Sequence, residues 1–421
     1  MSAAPVRGTP ATRSSSLSPR RSWLIIGVVF VQWLVGYFDK TAMSIIAVPV
    51  SREFGFNPTE MGMVLSAFFL GFAVVTPLGG YLADRYGARR VLLVVMLLWS
   101  AFTGVTALAW SLVSLIVLRG IFGAAEGSFP PASSVAVAEL MPVRQRGRAK
   151  SLLMSGATLG TAFGAYLVAS LTETWGWRGA FWLFCGIGLL LSGVFLVVSR
   201  PMSGPGAGRS GSAERIPVLR VLRTPLVGKL AVMQFGVGIF TWGMSQWMPT
   251  YWVQVKGLKL TSAGLATAIP SLVAFVAMIG VGFAADRFSR KEGRVVAGLM
   301  SVAIVFVLLT YFASSVVAGV VFLSVAQVAA AACAPLLSIV ILKRMRRSVT
   351  GTATGITNFG QQFAGVIAPT AMGALIQATG GSYLAVFVLV MAVMAVAALI
   401  ALTADRVELG ELAQDRDAAA G

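Results

Sequence analysis

The chain has 421 residues, 57% of them hydrophobic and only 11% charged, with a formal net charge of +18 and no histidine, and its mean hydropathy is +0.84. That is more apolar material than a water-soluble domain can hide, so the bilayer is read as the solvent. Without histidine, the usual side chain for a switch near neutral pH and the commonest metal ligand are both missing, and any coupling to protons falls to carboxylates.

Residues 1–22 are polar and carry four Arg and no acid. The phrase SPRRSW superficially looks like a twin-arginine export signal, but the apolar run after it is too long and holds Asp39 and Lys40, so a cytoplasmic tail is expected. Six apolar runs follow, at 23–49, 58–83, 90–110, 112–138, 149–171 and 178–199. Each has the roughly 20 residues a helix needs to cross a hydrocarbon core of about 30 Å. Residues 200–225 include PMSGPGAGRSGSAER, a Gly, Ser and Pro mixture that cannot pack a core and reads as a linker. Six more runs occupy 226–253, 262–285, 293–313, 316–342, 350–376 and 381–403, and 404–421 forms a second polar tail. The expected fold is therefore an all-α membrane protein of twelve transmembrane helices, with six-helix halves at 23–199 and 226–403.

The basic residues are unevenly placed. With the N-terminus in the cytoplasm, the external loops hold only Arg52, Arg178, Lys256 and Lys259, and nearly all other Lys and Arg lie on the cytoplasmic side. This positive-inside pattern puts both termini in the cytoplasm and explains the net charge without a nucleic-acid partner. Cys185 and Cys333 are isolated in apolar helices, which suggests neither a disulfide framework nor a metal cluster. No HExxH, GxSxG or phosphate-loop motif is present, so neither an enzyme nor a cofactor is expected.

Subtracting tail and loop charges leaves four ionisable groups at membrane depth: Asp39 and Lys40 in the first helix, Arg119 and Glu126 in the fourth. A charge there costs at least about 2.5 to 3.5 kcal/mol, so such groups face a cavity and pair with one another. Arg119 and Glu126 are two turns apart on one face, about 10 Å along the axis, which leaves a substrate-sized gap between them. Asp39 and Lys40 point about 100° apart, so one is expected to face the cavity and the other a neighbouring helix. In the second half the polar candidates are Trp242, Gln246, Trp247 and Tyr251 in the seventh helix, and Asn358, Gln361 and Gln362 in the eleventh. The aromatic residues suit either a ligand contact or an interface belt, and the amides either a ligand or helix-to-helix bonding. Gly156, Gly160 and Gly164 form a small-residue ladder that reads as a close-packing face.

One phrase occurs twice: GYLADRYGARR from Gly80 to Arg90, and GFAADRFSRK from Gly282 to Lys291, each between apolar runs. Such repetition points to a transporter of two parallel halves. The phrase resembles the signature of the major facilitator superfamily, nearly complete in the first copy and with Ser289 in place of a glycine in the second. The resemblance implies a gating role for Gly80, Asp84, Arg85, Gly87, Arg89, Asp286 and Arg287, with the acids pairing to basic groups across the interface between halves. YFDKTAMSIIAV and RGIFGAAEGSFPP are further similar to the anion:cation symporter family, carriers of sugar acids and other organic anions. That likeness implies proton coupling by Asp39 and Glu126, anion binding by Lys40, a cavity position for Tyr37, and tuning of Glu126 by Arg119. Lys40 stands where Arg is usual, which keeps a point charge but gives up bidentate carboxylate recognition. The expected function is proton-coupled uptake of a small organic anion by a monomer in the inner membrane, with an exporter or exchanger as the alternative. The fifth helix lacks the Gly-Pro element usual in drug:proton antiporters, which disfavours export.

Overall fold

The computed structural model describes residues 18–202, 218–284 and 292–404. Among these the chain is helical almost throughout, in the order α1 Pro19–Ile45, α2 Ala47–Phe54, α3 Pro58–Tyr86, α4 Ala88–Thr106, α5 Leu112–Gly127, α6 Phe129–Leu140 and α7 Val143–Val198. From residue 218 onward come α8 Val218–Leu222, which falls inside the stretch expected as a linker, α9 Pro225–Gly238, a π-helical turn Ile239–Met244, and α10 Ser245–Gln254. The remaining helices are α11 Leu260–Ala284, α12 Glu292–Phe312, α13 Val316–Arg344, α14 Arg347–Ala378 and α15 Leu384–Ala404. Asp286, Arg287 and Ser289 lie outside the described residues.

The breaks follow local chemistry. Asn57 accepts from the Glu60 N–H at 2.9 Å while Glu60 returns a bond to the Asn57 N–H at 2.8 Å, a reciprocal cap that starts α3. Gly87, at φ 86°, turns α3 into α4, a backbone angle that disfavours any residue with a Cβ. Pro130 and Pro131 occupy the first turn of α6, where proline is tolerated, and so separate it from α5 just after Glu126. Gly176, at φ 72° and ψ 165°, divides the 56-residue α7 into two helices.

Ten helices among the described residues are long and apolar enough to cross a membrane. The difference from the expected twelve has two sources: α7 is continuous through its break at Gly176, and α14 is diluted by the polar stretch Thr350–Gln362. The outer surface is apolar, with Val74, Leu78, Leu190, Val276 and Leu399 all exposed. A protein dissolved in lipid has that surface, because lipid tails are as apolar as its side chains.

Close helix contacts are made where side chains vanish. The glycine ladder packs on α1 as expected: Gly156 lies against Phe30, Gly160 against Leu34 and Tyr37, and Gly164 against Phe38. One end of the bundle is drawn shut between the segments before and after the linker. There a Cβ on Gly62 would stand 2.5 Å from the Pro369 carbonyl oxygen, and one on Gly264 2.6 Å from that of Ala165. Ser66 and Thr370 share a hydrogen bond at 2.8 Å, Thr59 donates to Gln377, and Glu173 accepts from the Thr261 N–H at 3.0 Å.

Candidate functional site

A cavity of about 700 Å³ lies between the two segments, lined by α1, α3, α7, the π-helical turn, α10, α11 and α13. Its lining runs from Lys150 and Met278 to Ser44 and Met248. Tyr37, Lys40, Trp242 and Gln246, all named from sequence, line it. Two ammonium groups, Lys40 and Lys150, face this space, and no Asp or Glu among the described residues does.

Asp39 and Lys40 diverge as neighbouring helical residues must. Lys40 faces the cavity, whereas Asp39 turns toward α4 and α5. There Thr103 donates to one carboxylate oxygen, and Arg119 Nη1 lies 3.4 Å from the other. Arg119 Nη2 also reaches the Asp39 carbonyl at 3.4 Å. Both side chains of this ion pair are 2% exposed. The expected gap between Arg119 and Glu126 is not part of the cavity: the guanidinium lies 5.2 Å from the Phe122 ring centre, and Phe122 is fully buried. A buried arginine needs a nearby carboxylate, and the helix packing supplies Asp39 for the direct pair; Glu126 remains within electrostatic reach.

Glu126 is fully buried, and neither of its oxygens receives a hydrogen bond among the described residues. Its electrostatic neighbours are Lys40, Asp39 and Arg119. The four intramembrane charges are thus one cluster, which presents a single group, Lys40, to the cavity.

Lys40 is 8% exposed, and its ammonium makes no hydrogen bond to another described residue. Its ammonium is surrounded by ring faces, with Nζ to centroid distances of 4.9 Å to Tyr37, 5.0 Å to Phe68, 5.4 Å to Phe69, 5.2 Å to Phe72 and 4.4 Å to Trp242. Each cation–π contact contributes about 0.5 to 2 kcal/mol, more when water is excluded. Trp242 comes from the π-helical turn, an irregularity that often marks functional sites because it re-aims side chains.

The other residues named from sequence divide. Trp247 is a packing residue whose Nε1 donates to the Pro369 carbonyl at 2.9 Å, and Tyr251 is buried among Trp252, Tyr383 and Phe387. Asn358 is exposed and Gln361 and Gln362 half-buried, and none of the three lines the cavity. Around the repeated motif, Gly80 lies beside Pro131, and Arg89 donates to Ser199 Oγ at 3.1 Å. Arg85 donates to the Tyr81 hydroxyl at 2.7 Å, while Asp84 is exposed and has no ion pair among the described residues. Sequence reasoning missed Thr103, the Phe68, Phe69 and Phe72 rings, and Lys150, whose Nζ lies 2.7 Å from Ser134 Oγ. Only the i, i+4 spacing of Phe68 and Phe72 was available as a signal, and packing produces the same spacing.

These helices and the cavity between them are those of a multi-pass membrane protein. The chain belongs to the major facilitator superfamily, whose model matches residues 28–369 and 260–420. It is 29% identical over 375 residues to a hexuronate transporter of Bacillus subtilis, covering 85% of this chain and 88% of that protein. A probable sulfoacetate transporter of Cupriavidus necator is 29% identical over 380 residues, with the same coverage of 85% and 88%. A probable galactarate/D-glucarate transporter of Escherichia coli is 25% identical over 403 residues, covering 86% and 88%. In fold, the chain matches a bacterial homologue of the human lysosomal transporter Spinster in its inward-facing, unoccupied conformation, with a TM-score of 0.80 at 15% identity over 94% of this chain and 99% of that one.

Proposed function

We propose that the protein is a secondary active transporter that takes up a small organic anion together with protons by alternating access. The observation that carries this reading is the polarity of the charge cluster: a cation faces a cavity with no Asp or Glu among its described lining residues, and two carboxylates are buried behind it. The names of the relatives, transporters of hexuronate, sulfoacetate and galactarate or glucarate, support an anionic substrate.

In the empty carrier Lys40 has Glu126 as an electrostatic partner. Proton uptake by Glu126 leaves Lys40 to be neutralised by the incoming carboxylate, so the loaded and the empty carrier are both balanced inside. Half-loaded forms keep an unpaired buried charge and are penalised, which is the coupling. Asp39, held by Thr103 and Arg119, is the second proton-coupling carboxylate. The protein has twelve spans with both termini cytoplasmic, halves at 23–199 and 226–403, and a linker at 200–225; it is a monomer of the inner membrane. The contacts at the Gly62 and Gly264 end then close the external side, and the cavity serves the cytoplasm. Asp84, free of an ion pair among the described residues, fits an open cytoplasmic gate.

The competing reading is an exporter or exchanger. A cavity with two ammonium groups and no carboxylate among its described lining residues does not suit a cationic drug. The test is substrate-induced pH change in proteoliposomes, screening sugar acids, aromatic acids and short carboxylates. Alkalinisation outside on adding an anion supports symport, whereas proton movement with cationic or neutral compounds alone would favour export.

A further inference from the structure

The register that relates Asp84 to Asp286 also relates Gln32 to Gln234, Gly36 to Gly238 and Gly62 to Gly264. In the same register Trp242 is the counterpart of Lys40. These two counterparts touch, with the Lys40 ammonium 4.4 Å from the Trp242 ring centre, the shortest of its five ring contacts. One half therefore contributes a cation at the position where the other contributes an aromatic face.

Resting on the anion-transport reading, we propose that the substrate is an arylcarboxylate, whose carboxylate takes the Lys40 ammonium while its ring takes the face of Trp242. Breaking the Lys40–Trp242 contact removes the shortest ring contact of the ammonium and uncovers one face of the indole. An aromatic acid satisfies both, and so spans the two halves with one rigid molecule. A saturated polyhydroxy acid satisfies the ammonium but sets its nearest hydroxyls against the rings of Tyr37, Phe69 and Trp242, where a hydroxyl without a partner is costly. Hydroxyl-bearing residues do line the cavity. Several of them, Ser44, Thr161, Ser245 and Thr267, already donate their hydrogen to a carbonyl of their own helix, so toward a substrate hydroxyl they can accept but not donate. Met154, Met244, Met248 and Phe275 add a soft, apolar stretch to a wall that also carries Gln246 and Gln327, and thioethers pack well at aromatic edges.

The test is calorimetric binding to the purified full-length protein in lipid nanodiscs, with benzoate and 4-hydroxybenzoate against glucuronate, and benzamide as the uncharged control. The expected result is at least tenfold tighter binding of the aromatic acids than of glucuronate, with benzamide not bound. Trp242→Leu should reduce that preference at least tenfold, and Trp242→Phe should restore most of it. Tighter binding of glucuronate overturns this inference alone, as does an unchanged preference in Trp242→Leu. If neither class of anion binds and Lys40→Ala changes nothing, the transport reading falls with it.

Discussion

Replacing Asp39 by Asn tests whether the buried charges act as one unit. Arg119 is 1% exposed, and both of its contacts with Asp39 are 3.4 Å long, at the edge of hydrogen-bonding range. The pair is therefore held more by charge than by geometry. Removing one member of a buried pair typically costs about 3 to 5 kcal/mol, because the other charge is left uncompensated. Glu126 stays within reach of Arg119 and softens the loss, so about 3 kcal/mol is expected for Asp39→Asn. The double variant Asp39→Asn with Arg119→Gln leaves two neutral polar groups facing each other and should recover much of that loss. A double-mutant cycle should then give a coupling energy of about 2 kcal/mol, within the range found for contacting residues. The assay is equilibrium unfolding in mixed detergent and SDS micelles. Effects that add to within about 0.5 kcal/mol would show that the two charges are independent and refute the reasoning.

Three further outcomes are expected. Glu126→Gln should abolish proton-driven accumulation of substrate but leave counterflow exchange measurable in proteoliposomes, and equal loss of both would remove its coupling role. Gly62→Val should hold the bundle open at the Pro369 contact, because its Cβ would overlap that carbonyl at 2.5 Å; a cysteine placed beside it should then react faster with a polar thiol reagent, and unchanged labelling would count against a closure made there. Partial burial works to raise the Glu53 carboxyl, but the Trp177 N–H and the Arg178 guanidinium together hold it below the usual range. A lowered folded value means stability present at neutral pH and lost as pH falls through that value. The thermal midpoint of the wild type should converge on that of Glu53→Gln between about pH 5 and 3, and a constant gap would remove the ionised carboxylate as the cause.

The apolar runs and the four membrane-depth charges were legible because lipid punishes any exception to hydrophobicity, so each exception stands out in the sequence. The alternation of Asp39 and Lys40 was legible too, since neighbouring helical residues must diverge, but which of the two meets the cavity depends on where α4 and α5 pack. For the same reason the partner of Arg119 was hidden. Intrahelical spacing set Arg119 and Glu126 about 10 Å apart with a gap between them, and tertiary packing supplied Asp39 from another helix. Lys150 looked like one more cytoplasmic loop charge, although α7 begins at Val143 and carries it to the cavity wall. The phenylalanines around Lys40 are indistinguishable from lipid-facing or packing residues until α3 is set beside α1. Asn358 and Gln361 share a helix face as their spacing requires, yet that face does not line the cavity, since spacing fixes a face but not its direction.

The closure at the Pro58 end is made without an ion pair between the two segments among the described residues. Glycine there meets backbone carbonyls, hydroxyls meet hydroxyls and an amide, and the carboxylate of Glu173 meets only a backbone N–H and a hydroxyl. Interactions of that kind are set by fit and are little screened by ions, whereas the approach of an anion to Lys40 and Lys150 is a matter of long-range charge. Ionic strength should therefore act on the two halves of the cycle unequally: salt slows the arrival of substrate and leaves the swing of the empty carrier almost untouched.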